Sequence, residues 1–325
     1  MSGLMVIGRA SWSVLLLGML AVTSGSVLAD GALPEARRIL FVGDSITHAG
    51  GYIASLEAAM IVDHPERKIE VLNLGLPSET VSGLSEPGHA GGQFPRPDLH
   101  ERLVRVLDQT KPDLVVACYG MNDGIYYPLG KDRFARFRSG IERLHAAVIG
   151  RGAKIIHLTP AYFDALPIQA RLLPAGLDEY TQPYAGYDDV LTEYAKWLLG
   201  KRSDGWEVLD VHAAMKAAVD ERRAGEPTFT FANDGVHPDA AGQAVIARPL
   251  ANAWGLKLDA RGLPDHPQAE SLVRLVEEKQ NVLKLAWLTS TGHLRPGIAA
   301  GLPLPQAQAK AAELDSQART LVAKR

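Results

Sequence analysis

Between residues 38 and 255 the chain alternates short apolar runs with longer amphipathic stretches, and no other feature restricts its fold as strongly. The runs cover residues 39–42, 69–74, 114–118, 154–158 and 206–211 and are rich in Val, Ile and Leu. They lack polar alternation, which is the pattern of strands covered on both faces. The stretches between them repeat with a helical period and predict helices near 52–62, 98–110, 132–150, 187–200, 212–224 and 239–254. Strands alternating with helices imply the α/β class, with a parallel, doubly wound sheet of five strands. Past residue 255, residues 268–285 and 305–323 predict two helices joined by 287–304, a helical C-terminal extension too short for an enzyme domain of its own.

Composition narrows the function classes. With 46% hydrophobic and 22% charged residues, the 325-residue chain is neither disordered, collagen-like nor a multi-span membrane protein. A formal charge of −3 offers no basic excess to neutralise a phosphate backbone, which excludes nucleic acid and favours a small molecule or a neutral polymer. Cys118 is the only cysteine, so no intramolecular disulfide and no four-cysteine zinc cage exists. Residues 1–29 read as a signal peptide: Arg9 precedes the apolar core 14–22, and Val27-Leu28-Ala29 places small residues where a signal peptidase reads. The mature protein is expected to be exported, periplasmic or secreted, with no stable membrane anchor after cleavage. Residues 30–255 carry 23 basic and 30 acidic side chains and residues 256–325 carry 10 and 7, so the basic tail is expected to dock on its own acidic body.

The chemistry gathers at strand ends. The first strand runs into Gly43-Asp44-Ser45, the second into Asn73-Leu74-Gly75 and the third into Gly120-Met121-Asn122-Asp123. Open α/β sheets bind ligands beyond the carboxyl ends of their strands where strand order reverses, which in a 2-1-3-4-5 sheet puts Ser45 and Asn122 on the two lips of one crevice. Asp234-Gly235-Val236-His237-Pro238 lies on a loop before the last helix of this region and can fold over the same crevice. A serine hydroxyl needs a base, a group that orients the base, and donors for the developing oxyanion. Ser45, His237 and Asp234 fill the first three roles; the N–H groups of Ser45 and Gly75 and the amide of Asn122 fill the last.

These four blocks, in this order over residues 38–255, resemble the SGNH or GDSL-type serine hydrolases. The resemblance implies a flavodoxin-like three-layer α/β/α sandwich without metal or cofactor, and an esterase mechanism through an acyl-serine. By position it makes Ser45 the nucleophile, Asp234 and His237 its partners, and Gly75 and Asn122 oxyanion-hole residues. Exported, carbohydrate-directed members that remove acetyl groups look most similar, so a small-molecule or glycan ester is the expected substrate. The domain plan is then a signal peptide over 1–29, a hydrolase domain over 30–255 and the extension over 256–325.

Other residues take lesser parts. The proline- and glycine-rich loops 76–97 and 160–187 are expected to wall the site, with His89, Arg96 and Tyr184 as substrate contacts. Asp44 and Asp123 are expected to bind loop amides, His48 to be structural or to contact substrate, and His157 and Cys118 to lie in the core. Two rival readings use the same crevice. One is a metal-dependent phosphoesterase built from Asp44, Asp123, Asp234, His48 and His237, and the other is a carbohydrate-binding protein without catalysis. The segment 292–297, Gly-His-Leu-Arg-Pro-Gly, has no role readable from the sequence.

Overall fold

The structure is a computed structural model that describes residues 1, 3 and 31–324, so the expected signal peptide lies outside the described residues apart from Met1 and Gly3. Five strands, β1 (Arg38–Gly43), β2 (Glu70–Asn73), β3 (Leu114–Cys118), β4 (Lys154–Leu158) and β5 (Glu207–Leu209), form one sheet in the order β2-β1-β3-β4-β5. All pairings are parallel, with Ile39 in register with Val71 on one side and Leu114 on the other. The apolar runs become strands because both faces are covered: every residue of β3 is buried, and β1 is buried from Ile39 onward.

The helices are α1 (Ser45–Ala49), α2 (Gly51–Asp63), α3 (Leu99–Thr110), α4 (Lys131–Ile149), α5 (Tyr187–Gly200), α6 (Val211–Arg223), α7 (Ala240–Ala253), α8 (Ala269–Thr291) and α9 (Leu304–Ala323). The β1-to-β2 crossover runs opposite to the later ones, so right-handed connections put α2 on one face and α3, α4 and α5 on the other. Packing of α2 on α7, and of α7 on α6, completes the first layer. The strand order therefore reverses between β1 and β3, and the loops following those strands flank the crevice. Among the described residues no helix is long and apolar enough to cross a membrane.

The helix α2 shows what the extension is for. From Tyr52 to Val62 it is buried on every side, whereas the outer helix of a three-layer sandwich normally keeps a polar face. Its outward residues Ala54, Ala58, Ile61 and Val62 pack against Leu272 and Val276 of α8 and Ala318 and Val322 of α9. The buried Glu57 on that face meets Lys279 at 2.6 Å and also bonds Gln280. The tail thus docks through charge as well as apolar surface. One boundary differs from expectation: α8 continues to Thr291, because Ala286, Trp287 and Leu288 are still buried against the body and keep the helix propagating.

Beneath the crevice lies a buried ion pair. Arg102 of α3 grips both oxygens of Glu79 at 2.6 and 2.7 Å, donates to the Leu74 carbonyl at 2.7 Å, and Tyr119 donates to the same carboxylate at 2.7 Å. Removing one partner of such a pair strands the other charge away from water. Arg102→Met is expected to lower unfolding free energy by about 3–5 kcal/mol, read from the urea midpoint at unchanged slope.

Candidate active site

The position of Ser45 follows from the way β1 ends. The chain turns at Gly43, where a Cβ would lie 2.2 Å from Thr47 Oγ1 and 2.6 Å from the Cys118 carbonyl, so only glycine lets α1 start this close to β3. Asp44 caps α1 by accepting from the Ile46 N–H at 2.9 Å. Burial pushes the Asp44 carboxyl up to about 7 despite that bond. At the other end, Asn73 Nδ2 donates to the Thr47 carbonyl at 2.8 Å and Gln243 Nε2 to that of Ile46 at 3.4 Å.

Ser45, His237 and Asp234 come together. Ser45 Oγ lies 2.8 Å from His237 Nε2, and His237 Nδ1 lies 2.6 Å from Asp234 Oδ2. The second carboxylate oxygen of Asp234 accepts the backbone N–H groups of Val236 and His237 at 2.9 and 2.8 Å, a local turn that fixes the acid against its own histidine. The loop is clamped from behind: the Asp164 N–H donates to the Gly235 carbonyl at 2.9 Å, while its carboxylate takes Arg223 and Thr230. Asp234 and His237 are half-exposed, so this crevice is open to solvent. Burial alone would raise Asp234, but the His237 ring and the two amides outweigh it and hold the carboxyl well below 3.8. The bond to Asp234 lifts His237 above the ordinary imidazole value of 6.5 against the opposing effect of burial.

Across the crevice, Asn122 is oriented by its neighbours. Its Oδ1 accepts from Arg96 Nη1 at 2.9 Å and from Tyr126 Oη at 3.2 Å, while its Nδ2 donates to the Glu79 carbonyl at 3.3 Å, leaving the second N–H of that group uncommitted. Arg96 is itself held by Glu86 through two bonds of 2.7 Å. Asp123 binds the Val81 and Ser82 amides at 2.8 Å each, and burial moves its carboxyl up to about 6. The Ser45 N–H, at the start of α1, donates to no acceptor among the described residues. Gly75 differs from expectation: its N–H is spent on Asn73 Oδ1 at 2.9 Å, its carbonyl accepts from His48 Nδ1 at 2.9 Å, and a Cβ would meet the His48 N at 2.4 Å. It lets the loop after β2 touch α1. Ser78, three residues on, is held at φ 68°, and its N–H has no acceptor among the described residues. Its unspent amide left no mark in the sequence.

Of the expected substrate contacts, Arg96 is buried between Glu86 and Asn122 with its guanidinium over the Tyr126 ring, so it supports Asn122 and does not face solvent. His89 lies edge-on to Phe94 and 3.4 Å from Glu86. The Tyr184 ring rests against Gly186 and edge-on to Tyr180. Loops 76–97 and 160–187 do meet, together with the loop after β3, around a groove of about 270 Å3 lined by Glu86, Tyr126, Tyr127, Tyr180 and Gln182. His48 is structural through its bond to Gly75, and Tyr187 is fully buried with its hydroxyl donating to the Met121 carbonyl at 2.8 Å. Segment 292–297 gains a role: the Arg295 guanidinium stacks over Phe94 at 4.3 Å, pinning loop 76–97 from the tail side. Among the described residues no group of three His, Cys, Asp or Glu side chains is arranged to hold a metal ion.

A hydroxyl, an imidazole and a carboxylate in file beside free amide donors define a serine hydrolase. Residues 41–245 match the model of the GDSL-like lipase/acylhydrolase family, and the chain belongs to that family. It is a serine hydrolase acting on ester bonds. No curated protein matches it. Among solved structures, Axe2, an acetylxylan esterase from Geobacillus stearothermophilus, is 22% identical over 70% of this chain and 98% of its own, with a TM-score of 0.51. A gut microbial diltiazem-metabolizing enzyme is 21% identical with a TM-score of 0.50, covering 70% of this chain; the chain spans about half that protein's length. At these identities the likeness is one of fold.

The Asp234 contact sets a measurable value. In an NMR titration the His237 ring is expected to titrate above 6.5, and Asp234→Asn, which removes the charge that favours imidazolium, should bring it down.

Proposed function

We propose that the protein is an exported esterase that removes short acyl groups, acetyl above all, from carbohydrates or related small molecules through an acyl-serine intermediate. The observation that carries this reading is the file of Ser45, His237 and Asp234 at 2.8 and 2.6 Å. His237 Nε2 takes the Ser45 proton as Oγ attacks the ester carbonyl. The Ser45 N–H and the Asn122 amide receive the negative charge on the tetrahedral oxygen, and the share expected of Gly75 falls to the unspent Ser78 amide on the same loop. His237 then returns the proton to the leaving alcohol, leaving Ser45 acylated. Water repeats the sequence with the histidine again as base, releasing the acid and restoring Ser45. The imidazolium formed midway is stabilised by Asp234, whose depressed pKa keeps it ionised throughout.

The carbohydrate part of the reading is supported by the shape of the site. The half-exposed His237 and Asp234 leave room for a group that projects from a larger molecule, and the groove between the loops presents the exposed polar side chains of Glu179, Thr181 and Gln182, groups that hydrogen-bond sugar hydroxyls. The acetylxylan esterase activity in the name of Axe2 points the same way, and residues 1–29 supply the expectation of export. A panel of acetylated glycans, with acetate release as the readout, tests the substrate class; release from none of them, with turnover of other esters, would reject it.

The assigned roles separate by assay with 4-nitrophenyl acetate. Ser45→Ala is expected to lower kcat at least about 10³-fold, and Asn122→Ala about 10²-fold to 10³-fold with little change in KM. Arg96→Met, which removes the shortest of the three bonds that orient the Asn122 amide, should cost about tenfold to a hundredfold. Because the base must be neutral, kcat/KM should rise with pH along the deprotonation of His237, with a midpoint above 6.5.

A further inference from the structure

The helix that starts with Ser45 has five residues, too few to satisfy its own backbone. Three of its carbonyls are taken by side chains from three distant elements. The Ile46 carbonyl accepts from Gln243 of α7, that of Thr47 from Asn73 of β2, and that of His48 from Lys284 Nζ of α8 at 2.6 Å. Lys284 is the unusual member. It is only 6% exposed and forms no ion pair among the described residues; its one hydrogen bond there is to His48. A buried ammonium without a carboxylate is costly and needs a reason to be there. Burial accordingly brings its pKa down to about 8.

The helix α8 is held to the body at several points. Lys279, on the same helix, binds Glu57 at 2.6 Å and Asp315 at 2.8 Å; Gln280 donates to the Val71 carbonyl at 3.0 Å; Arg105 takes the Thr291 carbonyl at 2.8 Å. Lys284 lies between these clamps and points at the C-terminal end of α1. The residue it holds also binds the Gly75 carbonyl through its ring, so one contact restrains both α1 and the loop that carries Ser78.

We propose that the C-terminal extension is part of the catalytic unit and that Lys284 is a positioning residue, clamping α1 so that Ser45 Oγ stays within reach of His237. This rests on the assignment of Ser45 as nucleophile. It also goes beyond the family match, which ends at residue 245, well before Lys284.

The test compares the full-length wild type with Lys284→Met, Lys284→Arg and Lys279→Met. Steady-state hydrolysis of 4-nitrophenyl acetate, the rate of Ser45 labelling by a fluorophosphonate, and Tm are measured on each. In Lys284→Met, kcat and labelling rate should both fall about tenfold, the cost of a slight misplacement, with KM within about twofold. Lys284→Arg, which keeps a cationic donor, should recover most of both. Lys279→Met loses the Glu57 and Asp315 contacts and should lower Tm, while Gln280 and Arg105 still hold α8 on either side of Lys284 and keep kcat near wild type. Equal kcat and labelling in wild type and Lys284→Met would overturn the proposal, as would an equal fall in Lys279→Met, which would mark a purely structural helix. Should Lys284→Met not fold, Lys284→Gln, too short to reach His48, takes its place, and wild-type kcat there overturns the proposal. A wild type whose Ser45 is not labelled at all rejects the nucleophile itself, and the proposal with it; that outcome is distinct from a labelled wild type matched by its variants.

Discussion

A nucleophile placed on a single helical turn can be only as well fixed as the groups that hold the turn, and the whole site depends on that constraint. The helix α1 begins where Gly43 brings it against β3, is capped by Asp44, and has its carbonyls bonded by side chains from β2, α7 and α8. Each of those elements does another job. Asn73 also takes the Gly75 amide, Gln243 accepts the Tyr52 N–H in the first turn of α2, and α8 covers the outer face of α2. Hydrogen-bond satisfaction at one short helix therefore couples the sheet, the last helix of the hydrolase region and the extension.

The opposite lip obeys the same logic with charges. Arg96 is paired with Glu86, lies over Tyr126 and presents a further donor to Asn122, so a buried guanidinium helps decide which way a neutral amide points. Glu79 gives its carbonyl to Asn122 and its carboxylate to Arg102 and Tyr119. The crevice is lined by few charges and supported by many. That division keeps the half-exposed side chains of His237 and Asp234 in place without burying them.

Much of this could be read from the residues in order, for identifiable reasons. The strands, the helices and the pairing of His237 with Asp234 follow from apolar runs and from a spacing of three residues on one turn, which are local properties, whereas the strand order and the meeting with Ser45 are carried by the family resemblance. What escaped was set by chain paths that no local pattern encodes. Arg96 reads as a solvent-facing contact until Glu86, ten residues away, folds onto it; Gly75 is the exception, for its N–H is taken locally by the Asn73 side chain two residues earlier. The groove is lined by Tyr126, Tyr127 and Tyr180 instead of Tyr184 because the loops cross at angles their composition does not specify. One signal was present and unused. Between Tyr52 and Val62 only Ser55 and Glu57 are polar, so α2 needed a cover, and among the described residues the basic tail supplies it.

The cover for α2 is also made after the region it covers, since α8 and α9 follow the hydrolase region in the chain. Until residues 269–324 have emerged, the outer surface of α2 lies bare and Glu57 lacks Lys279 and Gln280, so the nascent hydrolase region is an unfinished body with a sticky flank. Assembly of this flank therefore waits until α8 and α9 have been made, and a chain cut short before them keeps it bare.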